Sequence, residues 1–344
     1  MLYFGIVGLG RIGKVHLSNI QRYCTNAKVI AASPVKLEHK SFLNENGVDL
    51  HFDHYDQMIK EPKLDAIIIA SPTAFHYEHI LLAAKAGKHI FCEKPIDLNY
   101  EKVKTVSELV ASAGIHFMLG FNRRFDPHIM QLKKAIKMGK AGTPRIIKIT
   151  SRDPEPPPID FIKNSGGLFL DMSIHDFDMA RYLVEDEVVQ VTANGKIFGD
   201  LEMEKYDDID TAVITLIFKK GCMVQIDNSR YSSYGYDQRI EVFGEKGMVA
   251  TQNVLEDKII RADELGHHNS RAKYFFIERY TESYRNELVN FVETLQSKKA
   301  PSISAEDGLA SLAIAIAAKR SLKENKPVTV SYTHLRAHET RGNL

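Results

Sequence analysis

The stretch 165-SGGLFLDMSIHDFDMARYL-183 sets Asp171, His175 and Asp178 at spacings of four and three. On one helix those side chains share a face. Two carboxylates and an imidazole can ligate a metal, relay a proton with the imidazole as base, or form an ordinary solvated face. A second set is 92-CEKPI-96, where Glu93 and Lys94 end an apolar run and Pro95 constrains the turn. A lysine there can donate to an oxygen that gains negative charge, or stand at the surface beside a turn. An ammonium beside a metal cation is unfavourable, so Lys94 weighs against the metal alternative and no metal is expected.

A third set points to a phosphate-bearing ligand. The segment 8-GLGRIG-13 is G-x-G-x-x-G between a strand-like run and a helical pattern. Gly8 permits a tight turn, Gly10 lets backbone approach a pyrophosphate, and Gly13 lets helix and strand pack closely. Arg11 and Ile12 complete the loop, and the helix N-terminus that follows favours negative charge. About twenty residues on, an acid is expected to hold the ribose hydroxyls of NAD. The chain instead reads 31-AASPVK-36, with Ser33, Pro34 and Lys36 and no carboxylate. An acid would repel a 2′-phosphate, so its absence leaves both NAD and NADP open. The loop 70-ASPTAFH-76 follows another strand-like run, which places Ser71 and Pro72 at the cofactor. His76 is either a cofactor contact or a packing residue at a helix start.

These residues need a frame. Apolar runs at 2–8, 28–32, 65–70, 88–92 and 115–120 alternate with helical patterns at 75–87 and 99–114, the second capped by Asn99. That order predicts a doubly wound α/β Rossmann domain with a parallel sheet over residues 1–121. Beyond it, alternating segments at 188–198, 211–220, 222–230 and 238–244, with turns at Lys219–Gly221 and Gly244–Gly247, predict an α+β domain over 122–328. Its sheet is expected to be open and largely antiparallel, and helical patterns at 283–297 and 305–323 close it. The last residues, 329–344, lack apolar periodicity. Back-translated, they resemble a sequencing adapter read in frame, so they are expected to be non-native and to replace the true C-terminus. His334 and His338 within them are not read as ligands.

Composition narrows the classes. With 45 basic and 44 acidic residues, the net charge of +1 offers no footprint for nucleic acid or an anionic membrane. No apolar run is long enough to span a bilayer. The N-terminus carries no signal-peptide pattern, and three scattered cysteines fit a reduced, cytoplasmic compartment.

Together, GLGRIG, CEKP, 120-GFNRRFDP-127 and GGLFLDMSIHDFDM resemble the Gfo/Idh/MocA family of nicotinamide-dependent oxidoreductases. The run 151-SRDPEPPP-158 and 234-YGYDQRIEVFGEKG-247 resemble its inositol 2-dehydrogenase branch. The resemblance covers residues 2 to 328. It implies that Lys94, Asp171 and His175 line the substrate beside the nicotinamide. Neutral histidine, ordinarily titrating near ~6.5, would take the hydroxyl proton while hydride leaves carbon. Lys94 and Asp171 would orient a polyol, and Asp178 would bind substrate or orient the imidazole. Arg124 is either a substrate contact or the partner of a local acid such as Asp126. Tyr234 is either a pocket residue or packing, and Tyr280 has a weaker claim to the pocket. The expected activity is oxidation of myo-inositol or a close cyclitol, with another sugar or polyol as runner-up. The alternative of another class is a non-catalytic dinucleotide or sugar sensor. A homotetramer is implied by the resemblance alone.

Overall fold

The computed structural model describes residues 1–332. Residues 333–344, with His334 and His338, lie outside the described residues. The described chain forms two compact units: residues 1–125 together with 282–310, and residues 126–281 together with 311–332.

In the first unit, β1 (Leu2–Val7), β2 (Ala27–Ser33), β3 (Leu50–His51), β4 (Ala66–Ile69), β5 (His89–Glu93) and β6 (Phe117–Gly120) form one sheet in the order β3-β2-β1-β4-β5-β6. Every neighbouring pair is parallel. All four residues of β4 are buried, as expected of a strand covered on both faces. The helices Arg11–Tyr23, His76–Lys85 and Tyr100–Ser112 follow the patterns read in the sequence. Asn99 caps the third, its side-chain oxygen accepting from Lys102 N at 3.2 Å. Two-residue β3 was not anticipated, because so short a run has no periodicity.

The sequence reading gives residues 122–328 to a second domain, whereas in the structure residues 282–310 join the first unit. The helix Thr281–Ser297 belongs to the first unit, where Leu288, Phe291 and Val292 are buried. The Phe291 ring lies 6.2 Å from that of Phe4 and 5.9 Å from that of Phe91. Helical periodicity marks an apolar face without saying which core receives it.

In the second unit, β7 (Pro144–Arg152), β8 (Val188–Lys196), β9 (Thr211–Phe218), β10 (Met223–Ser229), β11 (Asp237–Gly244) and β12 (Gly247–Ala250) build a larger sheet. β13 (Ile260–Asp263) and β14 (Gly266–Asn269) form a separate hairpin, and β15 (Val328–Thr329) adds an edge strand. The sheet order is β12-β11-β7-β10-β9-β8-β15. Only the β7–β10 pairing is parallel, so the sheet is largely antiparallel, as expected. Both anticipated turns join antiparallel partners. No strand was read at 144–152, where Arg145, Lys148 and Arg152 dilute the apolar signal; β7 nonetheless runs mid-sheet. Thr329 and Val330 continue the edge, Val330 N donating to Val189 O at 3.1 Å.

Phe291→Ala removes the aromatic anchor of the returning helix. Urea denaturation is expected to show a loss of about 3–5 kcal/mol in the first unit's stability.

Candidate functional site

The glycine turn after β1 is shaped for a dinucleotide. A Cβ on Gly13 would lie 1.9 Å from Gly8 O, so only glycine allows the helix this close to the strand end. A Cβ on Gly10 would meet nothing within 4 Å, which leaves open space beside the backbone at the helix start. Gly10 stands at the N-cap and has no side chain to cap the helix, whose N-terminal end favours an anion. Arg11 is exposed and Ile12 half-buried in this loop. Gly8 N donates to Ser33 O at 2.9 Å, which ties the turn to the end of β2. The Ser33 hydroxyl is buried and has no hydrogen-bond partner among the described residues, while Lys36 is exposed. A cradle open at Gly10 and a buried Ser33 hydroxyl without a partner among the described residues fit a dinucleotide.

The two neighbouring strand ends are joined through His76. Its Nε2 lies 2.7 Å from Ser71 O and its Nδ1 lies 2.8 Å from Pro95 O. Burial lowers its pKa, and the carbonyl contacts act in the opposite direction. Both ring nitrogens are engaged with backbone, so His76 links the Ser71–Pro72 loop to the Glu93–Lys94–Pro95 turn. Ser71 Oγ meets His79 Nδ1 at 3.0 Å, and burial depresses His79 to about 4. Lys94 is half-buried at the end of β5, and the Lys94–Pro95 peptide is cis.

The motif that carries the imidazole is not one continuous helix. Asp171 ends the short helix Leu168–Asp171, whereas His175 and Asp178 lie on Ser173–Val184. Met172 between them keeps right-handed helical dihedrals (φ −96°, ψ −58°). Two residues that the sequence reading passed over explain the placement. Asp208 Oδ1 accepts from Leu168 N at 2.7 Å, and a Cβ on Gly167 (φ +86°) would lie 2.8 Å from that oxygen. Arg230, 1% exposed, lies 3.6 Å from Asp171 and 3.5 Å from Asp208. Its guanidinium therefore holds Asp171 from the sheet side.

Asp176, next to His175, is fully buried. It accepts from Ser151 Oγ of β7 at 2.6 Å and from Asn228 Nδ2 of β10 at 2.8 Å. These bonds fix the helix on the sheet and so the rotational position of His175, which is half-buried. Asp178 is 1% exposed. The only sequence signal for Asp176 was its place beside the histidine.

Other candidates sit in structural pairs. Arg124 Nη2 donates to Asp307 Oδ1 at 2.9 Å. Asp126 pairs with Arg279 and caps the helix Pro127–Lys137. Tyr234, about half exposed, donates to Asp237 Oδ2 at 2.6 Å and accepts from Arg152 Nη1 at 2.9 Å. Tyr280 is buried, its ring 5.7 Å from that of Tyr236. The three cysteines are buried and unbridged, and no described helix is long and apolar enough to cross a membrane.

A parallel sheet with a glycine cradle at its first strand, followed by an Asp-His helix on a mixed sheet, defines a dinucleotide-dependent oxidoreductase. Residues 2–121 match the "Oxidoreductase family, NAD-binding Rossmann fold" and residues 133–330 its "C-terminal alpha/beta domain". The chain belongs to the Gfo/Idh/MocA oxidoreductase family and is an NAD(P)-dependent dehydrogenase. It is 45% identical to myo-inositol 2-dehydrogenase of Thermotoga maritima, over 94% of this chain and 97% of that protein. It is 41% identical to inositol 2-dehydrogenase of Rhizobium meliloti, over 95% and 99%. The crystal structure of scyllo-inositol dehydrogenase from Lactobacillus casei with NAD(H) and scyllo-inositol superposes with TM-score 0.90 at 34% identity, covering 96% of this chain and 99% of that one.

Gly13→Ala forces the helix away from the Gly8 carbonyl. Titration followed by nicotinamide fluorescence is expected to show dinucleotide affinity reduced on the order of tenfold or more, about 1.4 kcal/mol.

Proposed function

We propose that the protein oxidises a ring CH–OH of myo-inositol or a close cyclitol to the corresponding inosose. The observation that carries this reading is the joint presence of Lys94, Asp171 and His175 in a chain 41–45% identical to inositol dehydrogenases over nearly its whole length. When bound, the nicotinamide supplies the hydride acceptor. His175 takes the hydroxyl proton as general base. Lys94 donates to the same oxygen and stabilises its developing charge. Asp171, held by Arg230, accepts from a neighbouring hydroxyl and fixes the ring's orientation. Asp178, Arg124 and Tyr234 complete the proposed substrate shell; the pairs made by Arg124 and Tyr234 favour a framing role for those two.

NAD is the inferred cofactor, with NADP admitted because no carboxylate stands at the end of β2. The protein is inferred to work in the cytoplasm on small polyols, without nucleic acid, membrane or metal.

A homotetramer is inferred as well. Ile217, Met223, Ile146, Phe243 and Met248 are successive cross-strand partners and make one apolar row on the larger sheet. Met223, Phe243 and Met248 are each about half exposed. Phe243→Glu puts a charge into that row, and light scattering after gel filtration is expected to report a smaller assembly; an unchanged mass would remove this face from the assembly.

The activity test measures nicotinamide reduction with myo-inositol and either cofactor. Wild type is expected to turn over. Lys94→Ala is expected to lose at least about a hundredfold in turnover, on the scale of one preorganised donor, while dinucleotide affinity is retained. Unchanged turnover in that variant would overturn the role of Lys94, and turnover only with other polyols would move the substrate assignment.

A further inference from the structure

Beneath the Glu93–Lys94–Pro95 turn lies a group of ionisable side chains with no part in the chemistry above. Glu287, on the helix Thr281–Ser297, is 0% exposed. Neither of its carboxylate oxygens has a hydrogen-bond partner among the described residues. Glu93 ends β5, and its Oε1 lies 2.6 Å from Nε2 of His16, which is also fully buried. One ligand atom from each of His16, Glu93 and Glu287 lies within 4.8 Å of the other two. The rings of Phe91 and Tyr284 pack on His16 at centroid distances of 5.1 and 5.9 Å.

A buried ionised carboxylate without a donor is strongly disfavoured. Two carboxylates sharing one dry site do not both ionise. Burial, and secondly the charge of Glu93, raise the Glu287 carboxyl well above its ordinary range. An ionised carboxylate only accepts, and Glu93 has the His16 ring nitrogen at 2.6 Å to accept from whereas Glu287 has no donor among the described residues, so Glu287 is the member that keeps its proton. The acid's O–H is then within a side-chain adjustment or one water of Glu93.

We propose that Glu287 is a neutral carboxylic acid and that His16, Glu93 and Glu287 form a proton-sharing cluster that positions the turn carrying Lys94. The three come from the helix after the glycine turn, the strand bearing Lys94 and the helix that returns from the far part of the chain. The cluster therefore joins the dinucleotide cradle to the lysine. His16 and Glu287 act as positioning residues. The positioning role rests on the function proposed for Lys94; the protonation of Glu287 does not.

The test compares Glu287→Gln and Glu287→Leu with wild type in the full chain. Gln keeps a neutral donor, and Leu keeps bulk without one. Folded wild type holds a proton that its unfolded chain releases above about pH 4.3. Its folding constant should therefore fall, relative to Glu287→Gln, by about tenfold per pH unit above that value until the folded group titrates. A flat difference, or one equivalent of metal in the purified protein, would mean an ionised Glu287 and overturn the neutral acid. Glu287→Gln is expected to keep kcat within about threefold, whereas Glu287→Leu loses about tenfold or more in kcat with cofactor affinity unchanged. Equal kcat in Glu287→Leu and wild type would overturn the positioning role. Should wild type turn over no cyclitol, the function assignment fails, and the pH dependence of stability still decides the protonation.

Discussion

A carboxylate withdrawn from water has to be matched by a donor, a cation or a proton, and this protein's functional elements are placed by such matches. Asp176 is matched by Ser151 and Asn228, which seats the His175 helix on β7 and β10. Asp208 is matched by the N–H groups of Leu168 and Ile209 and faces Arg230, which sets the short helix ending in Asp171. Asp126 is matched by Arg279. Glu287, with no donor among the described residues, is left to the proton. Each match specifies a geometry, because a partner displaced by an ångström leaves a buried group unsatisfied.

The dinucleotide unit uses a different constraint, the closeness of backbone to backbone. The helix Arg11–Tyr23 starts where a methyl group at Gly13 could not fit. That closeness brings its first N–H groups to the carboxyl ends of β1 and β4, where the strand order β3-β2-β1-β4-β5-β6 reverses direction. His76 then joins the loop that leaves β4 to the turn that leaves β5. A rigid set of loops suits hydride transfer, because the distance between the reacting atoms must be held without further cost in entropy.

The division of chemistry follows. A base that is neutral at working pH, an ammonium and an orienting carboxylate are what a secondary alcohol needs to lose a proton and a hydride together. The proposed reaction assigns those parts to His175, Lys94 and Asp171. The Arg230 contact keeps Asp171 from being an isolated charge.

The sequence by itself determined whatever depends on neighbours along the chain. The glycine spacing, the apolar parallel strands, the Asn99 cap and the family motifs are local patterns with local causes, and the first sheet and the oxidoreductase class were legible from them. The tertiary structure decided what depends on residues distant in sequence. The short helix that ends in Asp171 is anchored at its start by Asp208, 40 residues away, which accepts from Leu168 N. Arg124 meets Asp307 because the helix Ala305–Glu324 brings its first turn to that arginine. The helix bearing Glu287 returns to the first unit because Phe291 finds Phe4 and Phe91. Periodicity names the face of an element that is buried; only packing names the partner, since hydrophobic burial is non-directional and charge pairing depends on which groups the fold removes from water together.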